Sequence, residues 1–421
     1  MLNEWVDRGT LRRVYAVEDP FADVHGAAVG GRSPRLLLRD TLGDWMKAHD
    51  PRSRVFAVGG KDRSAILLGG LFPDGVFWYE AKAGGFTTSE YYAPEGTPDW
   101  LRAFHADGWL ERLPQAWTYP SVASLRPDDD PRESDRYGRA SPHPLRVGGR
   151  ERFFENLPRT PYLDAFTLRL ARQVVEHNDL GRGPAPDLVC IALAATDYVG
   201  HMYGPWSQEM RDTLLRLDAG LAEFFAFLEA RGAPFAVVLA SDHGVLPLPQ
   251  VRRVDAAKAM AELMAEVRAR HAGAFAFSFT QITVDRRAGR FEEVVAGIAA
   301  LLRARGDAAA VVDAAMLAGK GGGDALLELA RRSRRPDRGG DLLFVPAESV
   351  LFTTHPTGTS HGSPWPYDRE VPLLYWGSGI AAGEAPQQAR SIDIAPTLAR
   401  ILGLRAPDDL DGVPLDLAAA R

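Results

Sequence analysis

Asp197 and His201 stand four residues apart in Thr196-Asp-Tyr-Val-Gly-His201, and Asp242 and His243 are neighbours in Ser241-Asp-His-Gly244. Carboxylates and imidazoles are common donors to a divalent cation. Each pair closes an apolar run, Leu188 to Ala195 for the first and Phe235 to Ala240 for the second. Both runs are short and apolar on both alternations, which predicts strands buried on both faces. A helix is predicted between them. Ser207 suits its N-cap, and Gly232 the position just past its end. Met210, Leu214, Leu217, Leu221, Phe224 and Leu228 recur at three- and four-residue steps, which predicts one stripe facing a core. Strand–helix–strand units of this kind are normally right-handed crossovers between parallel strands. The four residues are therefore expected at the carboxyl edge of one sheet, where open α/β folds place their ligands. An Asp-His pair at a strand end can also be a plain turn. Two such pairs at equivalent strand ends favour a metal site.

The rest of the composition narrows the classes. The chain has 421 residues, 46% hydrophobic and 25% charged, enough for one large α/β domain with insertions or for two domains. A formal net charge of −6 gives no sign of a nucleic-acid or polybasic membrane surface. Cys190 is the only cysteine, so no intrachain disulfide forms. No apolar run is long enough to span a bilayer, and Met1-Leu-Asn-Glu-Trp-Val-Asp-Arg8 does not read as a signal peptide.

In chain order, Val14 to Val17 is a predicted strand, and Arg35 to His49 has helical spacing in Leu37, Leu38, Leu42 and Trp45. Arg54 to Val58 is a predicted strand followed by Gly59-Gly60-Lys61-Asp62-Arg63. Glycines let the backbone turn sharply there. Lys61 and Arg63 could both reach an anionic ligand; they equally suit two solvated charges flanking an aspartate. Pro120 to Arg150 lacks an apolar period and reads as a long loop or the edge of a cap. Ala165 to Glu176 is a predicted helix. Residues 256–270 and 291–305 are predicted helices with a strand from Phe275 to Val284 between them, and 319–323 a glycine-rich turn. Phe352 to Pro366 is a loop carrying His355 and His361, followed by a strand from Val371 to Trp376 and a helix from Ser391 to Leu402.

Taken together, Thr196-Asp-Tyr-Val-Gly-His-Met-Tyr-Gly-Pro205, Ser241-Asp-His-Gly244 and His361-Gly-Ser-Pro364 ahead of Val371-Pro-Leu-Leu374 resemble the alkaline phosphatase superfamily. Lys61-Asp-Arg-Ser-Ala-Ile66, Gly85-Phe-Thr-Thr-Ser-Glu-Tyr-Tyr92 and Thr160-Pro-Tyr162 resemble its PafA-like branch, relatives of the type I phosphodiesterases and nucleotide pyrophosphatases. The motifs are spaced in the family's order from the first residues nearly to the end.

The resemblance implies an α/β fold: a three-layer sandwich around a central, mostly parallel sheet, with α+β insertions. The whole chain, 1–421, would be one such domain, incomplete at its N-terminus, with a cap or insertion at 64–150 and an α+β insertion at 247–345. It implies a zinc-dependent hydrolase of phosphate monoesters. Asp197, His201 and His361 match the three protein ligands of one Zn2+, and Asp242 and His243 match two ligands of a second. Lys61, Arg63 and Asn3 match residues that contact phosphate oxygens. The family's threonine or serine nucleophile, and a further aspartate ligand, precede the stretch that Asn3 and Trp5 match and have no counterpart here. The resemblance therefore implies a start internal to the gene product, or a truncated gene.

A complete site would hold two zinc ions, and this chain two or one. The alternatives are a phosphodiesterase or nucleotide pyrophosphatase, against which Lys61 and Arg63 count, and a truncated, non-catalytic metal-binding remnant. The expected partner is a small phosphate ester, with no nucleic acid, no membrane span and a monomeric chain. Relatives of this kind are usually exported, so a periplasmic or extracellular location is expected.

Overall fold

The computed structural model describes residues 3–122, 127–278 apart from 271–274, 280–287, 290–319, 324–384 and 388–417. The chain divides into two compact units, one of 17–242 with 371–421, the other of 1–16 with 243–370.

The first unit is built on a four-stranded sheet in the order Gly85–Thr87, Gly75–Glu80, Val55–Gly59, Leu188–Ala192. The last three strands run parallel, and Gly85–Thr87 is antiparallel to its neighbour. Val55–Gly59 is buried at every position, as its unbroken apolar sequence requires of a central parallel strand. The Tyr162–His177 helix covers one face with Leu163, Phe166, Leu170 and Val174, each at most 1% exposed. These residues recur at three- and four-residue steps and point one stripe into the core. The α/β expectation holds, with parallel strands in a mixed set of sheets.

The predicted crossover takes a different form. Leu188–Ala192 pairs with Val55–Gly59 on one side. Ala236–Ala240 pairs instead with Leu373–Gly377, antiparallel, in a separate two-stranded sheet. Among the described residues no strand links the two. The expectation of one sheet edge carrying both pairs is corrected in that respect. The Gln208–Ala230 helix starts as predicted, with the Ser207 hydroxyl accepting from the Met210 N–H at 3.0 Å. Its stripe is covered only in part: Met210 and Phe224 are buried, whereas Leu214 is half exposed. The Ala236–Ala240 and Leu373–Gly377 strands are also incompletely covered, with Leu239 at 37% and Trp376 at 43% exposure.

Near the start of this unit the predicted helix from Arg35 is shorter, Leu42–His49, because the Asp44 carboxylate takes the Thr41 N–H and fixes the helix start there. Toward the end, Ser391–Asp393 is a single 3₁₀ turn leading into the Ile394–Ile401 helix.

The second unit holds a four-stranded antiparallel sheet in the order Phe275–Ser278, Gln281–Val284, Leu342–Pro346, Ala308–Asp313. The single strand expected over 275–284 is thus two antiparallel strands. Helices Ala256–Arg270 and Phe291–Arg303 pack on this sheet through Leu263, Val267, Val294, Ile298 and Leu302. Arg252–Asp255 and Val350–Thr353 form a short parallel pair. Of the glycine-rich turn, 320–323 lies outside the described residues.

Candidate active site

In the first unit the register of two parallel strands sets the geometry. Gly59 is opposite Ala192, so the turn into Lys61 and the turn into Asp197 leave the sheet side by side. The Gly60 N–H donates to the Ala192 carbonyl at 2.9 Å. A Cβ on Gly60 would lie 2.7 Å from the Ala194 Cβ and 2.9 Å from Leu163, so only glycine lets the two turns approach this closely. Lys61 then reaches across, and its ammonium donates to Asp197 Oδ2. The same ammonium lies 4.7 Å from the centre of the Tyr198 ring.

Asp197 and His201 are not at a bare strand end, as the sequence suggested, but on a helix, Ala195–Tyr203. Four-residue spacing on a helix puts both side chains on one face, and Asp197 Oδ1 lies 3.2 Å from His201 Nε2. Asp164 holds the start of that helix. Its Oδ1 accepts from the N–H groups of Ala194 and Ala195 at 2.8 and 2.9 Å. Burial pushes the Asp164 carboxyl up to about 6, against the two backbone hydrogen bonds and the Lys61 charge.

Arg63 begins the adjoining Asp62–Gly69 helix, whose Asp62 is paired with Arg32 at 2.7 Å. Burial raises the Tyr198 phenol, and the Arg63 and Arg159 charges oppose that rise. Arg159 lies 5.6 Å from the Tyr198 ring centre. It adds a cation to this cluster that sequence reading missed; its position just before Thr160-Pro-Tyr162 was the available signal. Asp164 was missed as well, since a buried cap two elements away leaves no local pattern.

Asp242 follows the Ala236–Ala240 strand and is exposed. The chain then enters the second unit at His243. There His243 and His361 are brought together, their rings stacked with centres 3.3 Å apart and planes 11° from parallel. The two segments that carry them are tied side by side. The Gly244 N–H donates to the Asp368 carbonyl at 2.9 Å, the Leu246 N–H to the Ser360 carbonyl at 3.3 Å, and the Thr359 hydroxyl to the Leu246 carbonyl at 2.7 Å. Asp368 Oδ2 accepts from the backbone N–H and the hydroxyl of Ser363 at 2.8 and 2.7 Å. Burial raises the Asp368 carboxyl, while Ser363 and the nearby His361 and His243 oppose the rise. His355 is exposed. Asn3 is exposed at the start of the Glu4–Val6/Arg13–Tyr15 hairpin, where its carbonyl accepts from the Ala16 N–H at 2.9 Å.

One cluster therefore holds Lys61, Asp197 and His201 with Arg63 nearby, and a second holds His243 and His361. In the first, a hard carboxylate oxygen and an imidazole nitrogen sit on one helical face at a separation that one small divalent cation can bridge, so the donors fit a metal.

Residues 3–367 match the family model described as type I phosphodiesterase / nucleotide pyrophosphatase. The chain belongs to this family. Among its relatives are alkaline phosphatases of the PafA kind. It is 31% identical to alkaline phosphatase PhoK of Sphingomonas sp, covering 100% of this chain and 79% of that protein. It is 28% identical to alkaline phosphatase PafA of Elizabethkingia meningoseptica, covering 98% and 81%. The crystal structure of wild-type alkaline phosphatase PafA matches with a TM-score of 0.87 and 26% identity, over 98% of this chain and 84% of that one. The chain is an alkaline-phosphatase-like hydrolase of this family.

Proposed function

We propose that the chain is a zinc-dependent phosphomonoesterase whose metal donors are Asp197, His201 and His361 at one ion and Asp242 and His243 at another. The observation that carries this reading is the contact between Lys61 and the Asp197 carboxylate. A lysine held against a metal-type carboxylate is a cation waiting beside a cation site, which suits a doubly charged phosphoryl group. Asp197 and His201 already offer one carboxylate and one imidazole on a single helical face, a start on a donor set suited to a metal ion. When bound, zinc would supply Lewis-acid stabilisation of charge on the phosphoryl and leaving oxygens.

The chain's own residues do the rest. The Lys61 ammonium donates to Asp197 Oδ2, and with a cation held by that carboxylate it would be available to a phosphate oxygen. Arg63 adds a planar fork that can bind two oxygens. Phosphoryl transfer is catalysed mostly by positioning and charge stabilisation, which is what these groups offer. A monoester dianion has one more anionic oxygen than a diester, so several cations at one site favour the monoester. The family's hydroxyl acceptor is not assigned to any residue of this sequence. Export to the periplasm or medium belongs to the same proposal, and cell fractionation tests it.

The experiment is hydrolysis of an aryl phosphate monoester and of the matching diester by the purified, zinc-loaded chain. Monoester turnover above that of free zinc, lost in Asp242→Ala, supports the reading. Turnover of the diester alone, or no turnover, overturns it for this chain.

A further inference from the structure

Arg159 ends a single 3₁₀ turn of the first unit, Leu157–Arg159, that lies against the Ala195–Tyr203 helix carrying Asp197 and His201. The turn is well anchored. Leu157 is 1% exposed, and the buried Thr160 hydroxyl donates to the Leu157 carbonyl at 2.8 Å. The half-buried Arg159 side chain donates from Nη1 to the Glu155 carbonyl at 2.6 Å. Its guanidinium lies 5.6 Å from the ring centre of Tyr198 and 6.0 Å from that of Tyr137. The hydrogen bond and the two cation–aromatic contacts hold the group in place. They leave its Nε–Nη2 edge unused. Among the described residues neither nitrogen has a hydrogen-bond partner, neither is shut off from solvent, and no carboxylate pairs with the group. The acids acting on Tyr198 are Asp197 and Asp62, and each already has a basic partner, Lys61 and Arg32 respectively. With Arg63 and Arg159 added, the cluster carries more positive than negative charge.

We infer that Arg159 is a specificity-determining residue that binds a second anionic group on the alcohol side of the substrate, so that the site prefers phosphate monoesters whose alcohol carries a carboxylate. This rests on the proposed phosphomonoesterase reading, which puts the phosphoryl group at Lys61 and Arg63. Distance sets the reach. The Lys61 ammonium lies 4.7 Å from the Tyr198 ring centre and the Arg159 guanidinium 5.6 Å from the same point, so the two cations are no farther apart than those two lengths end to end. One six-membered ring with an anion at each end spans such a gap. Chemistry sets the head group. Two parallel N–H donors on a planar guanidinium match the two oxygens of a carboxylate. A neutral alcohol gains nothing from Arg159, and a cationic one is repelled by it. Specificity is the difference between these cases.

The test measures binding of phenylphosphonate and 4-phosphonobenzoate to the zinc-loaded chain by isothermal titration calorimetry. Both lack an ester bond to cleave, and the second adds only the carboxylate. The unaltered chain is expected to bind 4-phosphonobenzoate about tenfold tighter. That ratio should fall to about one in Arg159→Gln and stay at about threefold in Arg159→Lys, which keeps the charge and loses the fork. Equal affinities in the unaltered chain overturn the inference whatever the variants do. A tenfold ratio that persists in Arg159→Gln also overturns it, since another cation then holds the carboxylate. So does failure of both phosphonates to bind. The two readings fail separately. Ester hydrolysis with equal phosphonate affinities would keep the phosphomonoesterase and remove the role of Arg159. The Arg159-dependent ratio in a chain that hydrolyses no ester would do the reverse.

Discussion

Lys61 and His201 meet opposite oxygens of one carboxylate: the ammonium donates to Asp197 Oδ2, and the imidazole lies 3.2 Å from Oδ1. Lys61 thus competes with any cation for Asp197 while also adding positive charge to the site. Replacing Lys61 with Met is expected to move two properties in opposite directions. Zinc should bind about tenfold tighter, since a competing charge is gone, and monoester turnover should fall by about 10- to 100-fold, as for loss of a hydrogen bond to a charged group. Diester turnover should fall less. Equilibrium zinc titration and steady-state rates on the two substrates check this, and equal losses on both esters would undo the monoester assignment.

The helix that carries Asp197 and His201 depends on Asp164, two elements away. Its carboxyl, raised to about 6 by burial, takes up its proton at a higher pH in the folded chain than in the unfolded one. The sign follows: between about pH 4 and 6 the folded state holds a proton that the unfolded state has lost. The stability contribution is therefore complete below the unfolded value and is lost as pH rises through about 6. Its size is on the order of 3 kcal/mol. Asp164→Asn keeps an oxygen for Ala194 and Ala195 but cannot titrate. Urea midpoints of this variant should lose that slope between pH 4 and 6, whereas Asp164→Ala should be less stable by about 1–3 kcal/mol from two unpaired N–H groups.

Gly244 lets the His243 turn pass the loop that carries Asp368. A Cβ there would sit 2.2 Å from the Tyr367 carbonyl oxygen. Gly244→Ala should therefore cost about 1–3 kcal/mol, as overpacking does, and separate the stacked imidazoles of His243 and His361. Thermal unfolding reads the first effect. An unchanged melting temperature would show that the loop yields without strain.

Zinc content distinguishes the metal assignments. His361→Ala is expected to lower bound zinc from about two ions per chain to about one. Mass spectrometry under native conditions counts the ions directly, and unchanged stoichiometry would remove His361 from the ligand set.

Local chemistry was legible in the sequence where it was carried by unbroken apolar strands and by capping residues. The Val55–Gly59 and Leu188–Ala192 strands and the Ser207 cap lie where periodicity and N-cap preference put them. The helical setting of Asp197 and His201 was not read, because the helix is short and its cap, Asp164, comes from a distant segment rather than from the residue before it. Pairing was harder still. Nothing local in Ala236–Ala240 tells whether its partner is Leu188–Ala192 or Leu373–Gly377, since strand partners are chosen by the whole sheet. At the site, Lys61 looked like a solvated charge on spacing alone, and only the register of Gly59 with Ala192 brings it to Asp197. Arg159 needed the fold altogether.

The Leu188 N–H donates to the Arg54 carbonyl, so Leu188, Cys190 and Ala192 face the paired side of their strand, and Val189 and Ile191 turn their peptide groups the other way. Among the described residues no strand meets that second side. Deuterium should therefore enter the chain unevenly along five consecutive residues, quickly at Val189 and Ile191 and slowly at their neighbours. The same two peptide groups give this apolar strand a capacity for backbone pairing beyond what its sheet uses. At high concentration an apolar peptide in extended form, from another copy or another source, would compete for that capacity and slow the exchange. The alternating protection pattern is thus a gauge of whether this strand is at the border of the fold or in its interior.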